Sequence, residues 1–86
     1  MSESDITKAV HAKIIELARA SGKDAHGLSP DEVIPESGLL DSAAIMELII
    51  WYEAAYDLSI PSSELTLDNF GTIAAMVRYV EQARRG

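Results

Sequence analysis

The sequence predicts an all-α fold: a small four-helix bundle of three longer helices and one short helix, with a long loop between the first two helices. Three observations predict it. Apolar residues recur at helical spacing in three separate segments, and Gly, Pro and Ser punctuate the intervals between them. No cysteine is present, so neither a disulfide nor a thiolate metal site can replace a packed core. The 86 residues suffice for a single domain, 1–86 with its core over about residues 4–84, and are too few for two. A domain this small buries only about 60–65% of its unfolded surface, so the core is modest.

Ile6, Val10, Ile14, Leu17 and Ala18 recur at helical spacing with Lys8, Lys13 and Glu16 between them, which predicts an amphipathic first helix over about residues 4–20. Ser2 or Ser4 can cap its start, and Ser21-Gly22 suits its end. Residues 22–40 carry Gly22, Gly27, Pro30, Pro35 and Gly38, which forbid a long helix and predict an extended loop. Leu28, Val33, Ile34, Leu39 and Leu40 are expected to pin that loop to the core. Long ordered loops in small domains tend to be functional.

The second long helix is expected over about Ser42–Tyr56. Ile45, Leu48, Ile49, Tyr52 and Tyr56 share one face, and Met46, Ile50 and Ala54 form an adjacent strip. The helix is apolar over more than one face, so part of it must be exposed or kept for a partner. Pro61 then breaks the chain, and Ser62-Ser63-Glu64-Leu65 reads as a short helical turn capped by Ser62. Thr72 caps a last helix whose inner face is Ile73, Met76, Val77 and Val80, with Phe70 as a plug before it. Arg84 and Arg85 suit its C-terminus, where the dipole favours cations.

The formal charge is −7, and its distribution says more than its total. From Asp24 to Val77 there is no Lys or Arg, while Asp31, Glu36, Asp41, Glu47, Glu53, Glu64 and others fill the interval with negative charge. Such a surface repels phosphate backbones, which excludes a nucleic-acid binder, and attracts basic protein surfaces. The first residues, MSESDITK, are polar, and no apolar run approaches the ~20 residues of a membrane span. The expectation is a soluble, cytoplasmic, monomeric protein.

Asp41 and Ser42 stand together before the apolar helix. One helix start needs one capping side chain, and neither choice of cap places Glu or Gln at the third helical position to use up both. If Asp41 caps, the Ser42 hydroxyl is spare, in a first turn where free N–H groups and the dipole favour an attached anion. Taken alone, the pair is more often structural than functional. No nucleophile–base set can be built around Ser42, which lacks a histidine nearby in sequence. His11 and His26 do not make a metal pair by spacing, and no calcium-loop spacing occurs, so no catalytic or metal residue is expected.

Gly38-Leu39-Leu40-Asp41-Ser42 followed by an apolar helix resembles the attachment motif of acyl and peptidyl carrier proteins. The likeness extends over about Ile6–Val80. Ile34-Pro35-Glu36-Ser37 resembles the loop approach, and Glu47 and Glu53 fall where the family has acidic residues on its second helix. Tyr56-Asp57 with Ile60-Pro61 resembles the helix exit, and Asn69-Phe70-Gly71-Thr72-Ile73 the lead into the last helix. The Leu-Leu-Asp-Ser version is more similar to free-standing D-alanyl, aminoacyl and peptidyl carriers than to the main fatty-acid carriers.

The resemblance implies 4′-phosphopantetheine held as a phosphodiester on Ser42, beside Asp41, installed from coenzyme A by a magnesium-using phosphopantetheinyl transferase. It implies an acyl, aminoacyl or peptidyl cargo carried as a thioester, with no catalysis by the domain itself. Further partners would be a loading ligase or synthetase and a downstream synthase or transferase of fatty-acid, polyketide or nonribosomal-peptide biosynthesis. An exposed strip of Met46 and Ile50 rimmed by Glu47 and Glu53 reads as the docking surface for basic partner faces. Ala43 stands where most members carry a large apolar residue, often Leu, that helps seat a partner. The rival expectation is an unmodified acidic interaction domain in which Ser42 is only part of a helix start.

Overall fold

The structure, a computed structural model, describes residues 2–85, with only the backbone of Arg85. Helix α1 (Glu3–Ala20) begins at Ser2, whose Oγ accepts from the Asp5 N–H at 3.2 Å. Glu3 and Asp5 complement the positive end of the dipole. The helix ends in a Schellman motif: Lys23 N–H donates to the Ala18 carbonyl and Gly22 N–H to that of Arg19. Gly22 takes the left-handed conformation, φ +75°, that this ending requires. The expected inner face, Ile6, Val10, Ile14, Leu17 and Ala18, is buried.

The long loop lies between α1 and the next long helix, as expected, but it is not extended throughout. Helix α2 (Ile34–Ser37) makes one turn inside it, with Pro35 in the first turn, where its missing N–H costs nothing. Gly38 closes that turn with φ +75°. Leu28, Ile34 and Leu40 are buried, with Val33 and Leu39 half-buried. Ala25 is also buried, and the His11 Nε2–H donates to its carbonyl at 2.8 Å, tying loop to α1. Two backbone hydrogen bonds then stitch the loop to a distant stretch: Ile34 N–H to Gly71 O at 2.7 Å and Ala74 N–H to Pro30 O at 3.0 Å. At Gly71 a Cβ would stand 2.5 Å from the Leu67 carbonyl oxygen, so only glycine fits this junction.

Helix α3 (Ser42–Ala55) buries Leu48, Ile49 and Tyr52, and Tyr56 follows at its C-cap. Ile45, expected on the same inner face, is only half-buried because it lines an open groove. The helix exit also has Schellman geometry, with Leu58 N–H on Glu53 O and Asp57 at φ +53°, a conformation that Asp tolerates better than most side chains.

The short turn at Ser62–Glu64 is a 3₁₀ helix. Its N-cap is Pro61 and no side chain caps it, so Ser62 does not have the capping role expected of it. A further one-turn helix, α4 (Leu67–Phe70), follows, capped by Thr66 Oγ1. Helix α5 (Ile73–Arg85) starts at Thr72, whose Oγ1 accepts from Ala75 N–H at 3.0 Å, as expected. The Arg84 guanidinium stands 6.0 Å from the Tyr56 ring centroid, a cation–π distance; the expected role of Arg85 lies outside the described side chains.

The three longer helices meet in one cluster of buried side chains, and no strand occurs among the described residues. No polar or charged residue among those described is buried there, apart from the Tyr52 and Tyr56 hydroxyl ends. Phe70 is the plug between α3 and α5. Its ring meets Tyr52 edge-on at 5.6 Å and lies tilted against Tyr79 at 4.7 Å. Tyr52 OH donates to the Met76 carbonyl at 2.7 Å.

These phenols make the fold sensitive to alkali. Burial first, then neighbouring phenols, pushes the Tyr52 hydroxyl up beyond its usual range. Burial also raises Tyr56, against the opposing pull of Arg84. The hydrogen bond to Glu64 first, then burial, pushes Tyr79 up to about 12. In the unfolded chain a tyrosine ionises near pH 10, so above that pH the unfolded state gives up protons that the fold retains. Stability should be unaffected by these groups below about pH 10 and fall steadily from about 10 to 12. Urea midpoints across a pH series check this, and Tyr79→Phe should make the decline shallower.

Candidate functional site

Asp41 and Ser42 divide the work at the start of α3. Asp41 is the N-cap: its Oδ1 accepts from Ala44 N–H at 2.8 Å and its carbonyl from Ile45 N–H at 2.9 Å. Ser42 is the first helical residue. Its side chain is exposed, and its hydroxyl has no hydrogen-bond partner among the described residues. The loop delivering this pair is fixed from two sides. Ser37 Oγ donates to Ile34 O and accepts from Leu39 N–H, and Lys23 Nζ donates to Gly38 O at 2.5 Å.

The remaining expected residues continue along α3. Ala43, Met46, Glu47 and Ile50 are exposed; Met46 keeps 53% and Ile50 62% of its surface in solvent, which is unusual for large apolar side chains in so small a domain. Glu53 differs from the rest. It is half-buried, and its Oε2 accepts from Ile60 N–H at 2.9 Å, so part of its carboxylate is committed to the helix exit.

Beside this strip lies an open apolar groove of about 270 Å³. Ile45, Met46 and Ile49 form one wall and Leu65, Leu67 and Phe70 the other. Leu65 and Leu67 are exposed, and the sequence alone did not assign them to the docking surface. A signal was present: two leucines flank a single threonine in a stretch otherwise of Ser, Glu, Asp and Asn. Among the described residues no cluster of His, Cys, Asp and Glu is arranged to hold a metal, and no helix is long and apolar enough to cross a membrane.

Residues 13–80 match the protein family described as "Phosphopantetheine attachment site". The chain belongs to that family. Membership carries a covalently attached 4′-phosphopantetheine, and the start of α3 fits such a group. An exposed hydroxyl without a competing partner, at the positive end of a helix with its cap supplied by another residue, suits a phosphodiester. The phosphopantetheine-attachment region takes in the loop, α3, the groove and most of α5, so the geometry above lies within the matched stretch. Curated relatives include the D-alanyl carrier proteins of Streptococcus pyogenes serotype M5 (strain Manfredo), serotype M49 (strain NZ131) and serotype M1. Each is 35% identical over 52 residues, which is 60% of this chain and 66% of the relative, just under two thirds of its length.

Proposed function

We propose that this family member is a single-domain, non-catalytic carrier whose Ser42 bears the 4′-phosphopantetheine and presents an acyl, aminoacyl or peptidyl thioester to partner enzymes. The observation that carries this reading is the division at the helix start: Asp41 caps, leaving the Ser42 hydroxyl unengaged. The bound group supplies the thiol that this chain lacks. The protein's own part is to hold the attachment point rigid and exposed and to offer a recognition surface beside it. The similarity to D-alanyl carrier proteins favours a small aminoacyl cargo; a loading ligase and a cytoplasmic setting are part of the same proposal. The decisive experiment is incubation with a broad-specificity phosphopantetheinyl transferase, coenzyme A and magnesium, read by intact mass and peptide mapping. A mass gain mapped to Ser42 supports the proposal. No gain would make Ser42 merely the first residue of a helix, and the chain an acidic interaction domain.

Partners are proposed to dock across Met46, Glu47 and Ile50 with a basic face, with Ala43 near the attachment end. Exposed charges act over about 8 Å at physiological salt. Glu47→Lys should therefore slow association with the transferase severalfold at low salt, with the defect shrinking as salt rises. Met46→Ala or Ile50→Ala should instead speed dissociation with little salt dependence. Glu53→Lys should do more than reverse a charge, because the Ile60 N–H loses its acceptor; Glu53→Gln keeps an acceptor and isolates the charge effect. Stopped-flow binding at two salt concentrations checks all five variants. Equal association rates for Glu47→Lys and the parent at low salt would remove the acidic rim from recognition.

A further inference from the structure

The wall of the groove opposite α3 is weakly built. Every residue from Pro61 to Asp68 is exposed, so no buried side chain anchors this stretch before Phe70. Its hydrogen bonds are almost all local. Glu64 N–H donates to Pro61 O, Leu65 N–H to Ser62 O, Thr66 N–H to Glu64 O, and Asn69 Nδ2 to Glu64 O. Among the described residues, one side-chain bond ties the stretch to a longer helix: Tyr79 OH on α5 donates to Glu64 Oε1 at 2.5 Å. Glu64 is thus held at its carboxylate by α5 and at its carbonyl by Asn69, and Leu65 is the next residue along the chain. The Tyr79 ring, packed on Phe70, gives the hydroxyl a fixed base.

We infer that Tyr79 is a positioning residue for the groove: by holding Glu64 it fixes where Leu65 and Leu67 stand across from Ile45, Met46 and Ile49. The Tyr79 ring packs on Phe70 of the groove wall, while its hydroxyl acts on a partner through the segment it holds. A segment with exposed residues and local hydrogen bonds opens at low free-energy cost. Without the tie it samples positions in which the groove is wider or filled, and a partner binds only the competent fraction. The inference rests on the docking surface proposed for α3, which shares Met46 with the groove.

Tyr79→Phe removes the hydroxyl and keeps the ring. Against the parent, it should raise the transferase's KM for the carrier about three- to tenfold and leave kcat unchanged, the fall expected when the competent fraction drops by that factor. Amide hydrogen exchange, measured without any partner, should quicken by a similar factor at residues 62–67 and stay unchanged in α1 and α3. Glu64→Ala should reproduce both effects. Glu64→Gln, whose amide oxygen still accepts from the phenol, should behave like the parent. A parent-like KM for Tyr79→Phe, or faster exchange spread evenly through α1 and α3, would overturn the inference and leave Tyr79 an ordinary packing residue. Failure of the parent itself to be modified would sink the proposed function instead, and the exchange measurement would still decide whether Tyr79 holds the segment.

Discussion

Ser42→Ala should fold as well as the parent and gain no mass at all with transferase and coenzyme A. The side chain being removed is exposed and makes no hydrogen bond among the described residues, so nothing in the fold depends on it. The helix keeps its cap, since Asp41 Oδ1 still receives Ala44 N–H. Alanine is also the better helix former, so stability should change by no more than about 0.5 kcal/mol. Asp41→Ala should give the opposite pattern, losing about 1 kcal/mol with the cap while leaving the nucleophilic hydroxyl in place. Thermal unfolding and intact mass on the two variants separate the roles of the neighbouring side chains. A mass gain on Ser42→Ala would place the attachment elsewhere.

Tyr52→Ala should lose about 3–5 kcal/mol, the range for deleting a large buried aromatic ring. The ring is fully buried and meets Tyr56 and Phe70 edge-on, and its hydroxyl ties α3 to the Met76 carbonyl of α5. A domain of this size holds about 4–13 kcal/mol in total, so the variant should be substantially unfolded near 37 °C. Tyr52→Phe keeps the packing and loses one hydrogen bond, for about 1 kcal/mol. Urea unfolding followed by circular dichroism distinguishes the two. A Tyr52→Phe loss as large as that of the alanine variant would mean the hydroxyl, not the ring, organises the core.

The three longer helices were legible because each carries several turns of apolar spacing, and the caps at Asp41 and Thr72 were legible because capping is a local act. The one-turn helices were not. Ile34–Ser37 and Leu67–Phe70 are too short for any periodicity to register, and both form because their backbone is fixed by neighbours: Ile34 by the Gly71 carbonyl, Phe70 by the rings on either side. Ser62 looked like a cap from its residue type, but the turn begins one residue earlier, at Pro61. At the site, Ser42, Met46, Glu47 and Ile50 follow from one helix and could be placed by spacing. Glu53 shows where spacing stops: its carboxylate turns to Ile60 N–H, a bond set by how the chain leaves the helix. Leu65 and Leu67 belong to the groove only through tertiary packing, which the residues 61–67 do not encode by themselves.

The stitch between Ile34 and Gly71, with its companion between Pro30 and Ala74, bears on when the groove comes into being. Each bond joins parts of the chain far apart in sequence, Ile34 with Gly71 and Pro30 with Ala74, and closing so long a loop costs entropy before any contact rewards it. Helices α1 and α3 are made of near neighbours and carry no such penalty. The groove draws one wall from α3, the other from residues 65–70 and its floor from Ile34 and Pro35, so it exists only after these long loops have closed. The serine at the start of α3 needs only a local turn to be presented. A partner that reads the serine alone would accept an immature chain; one that had to seat in the groove would accept only a finished one, and its binding would double as inspection of the fold.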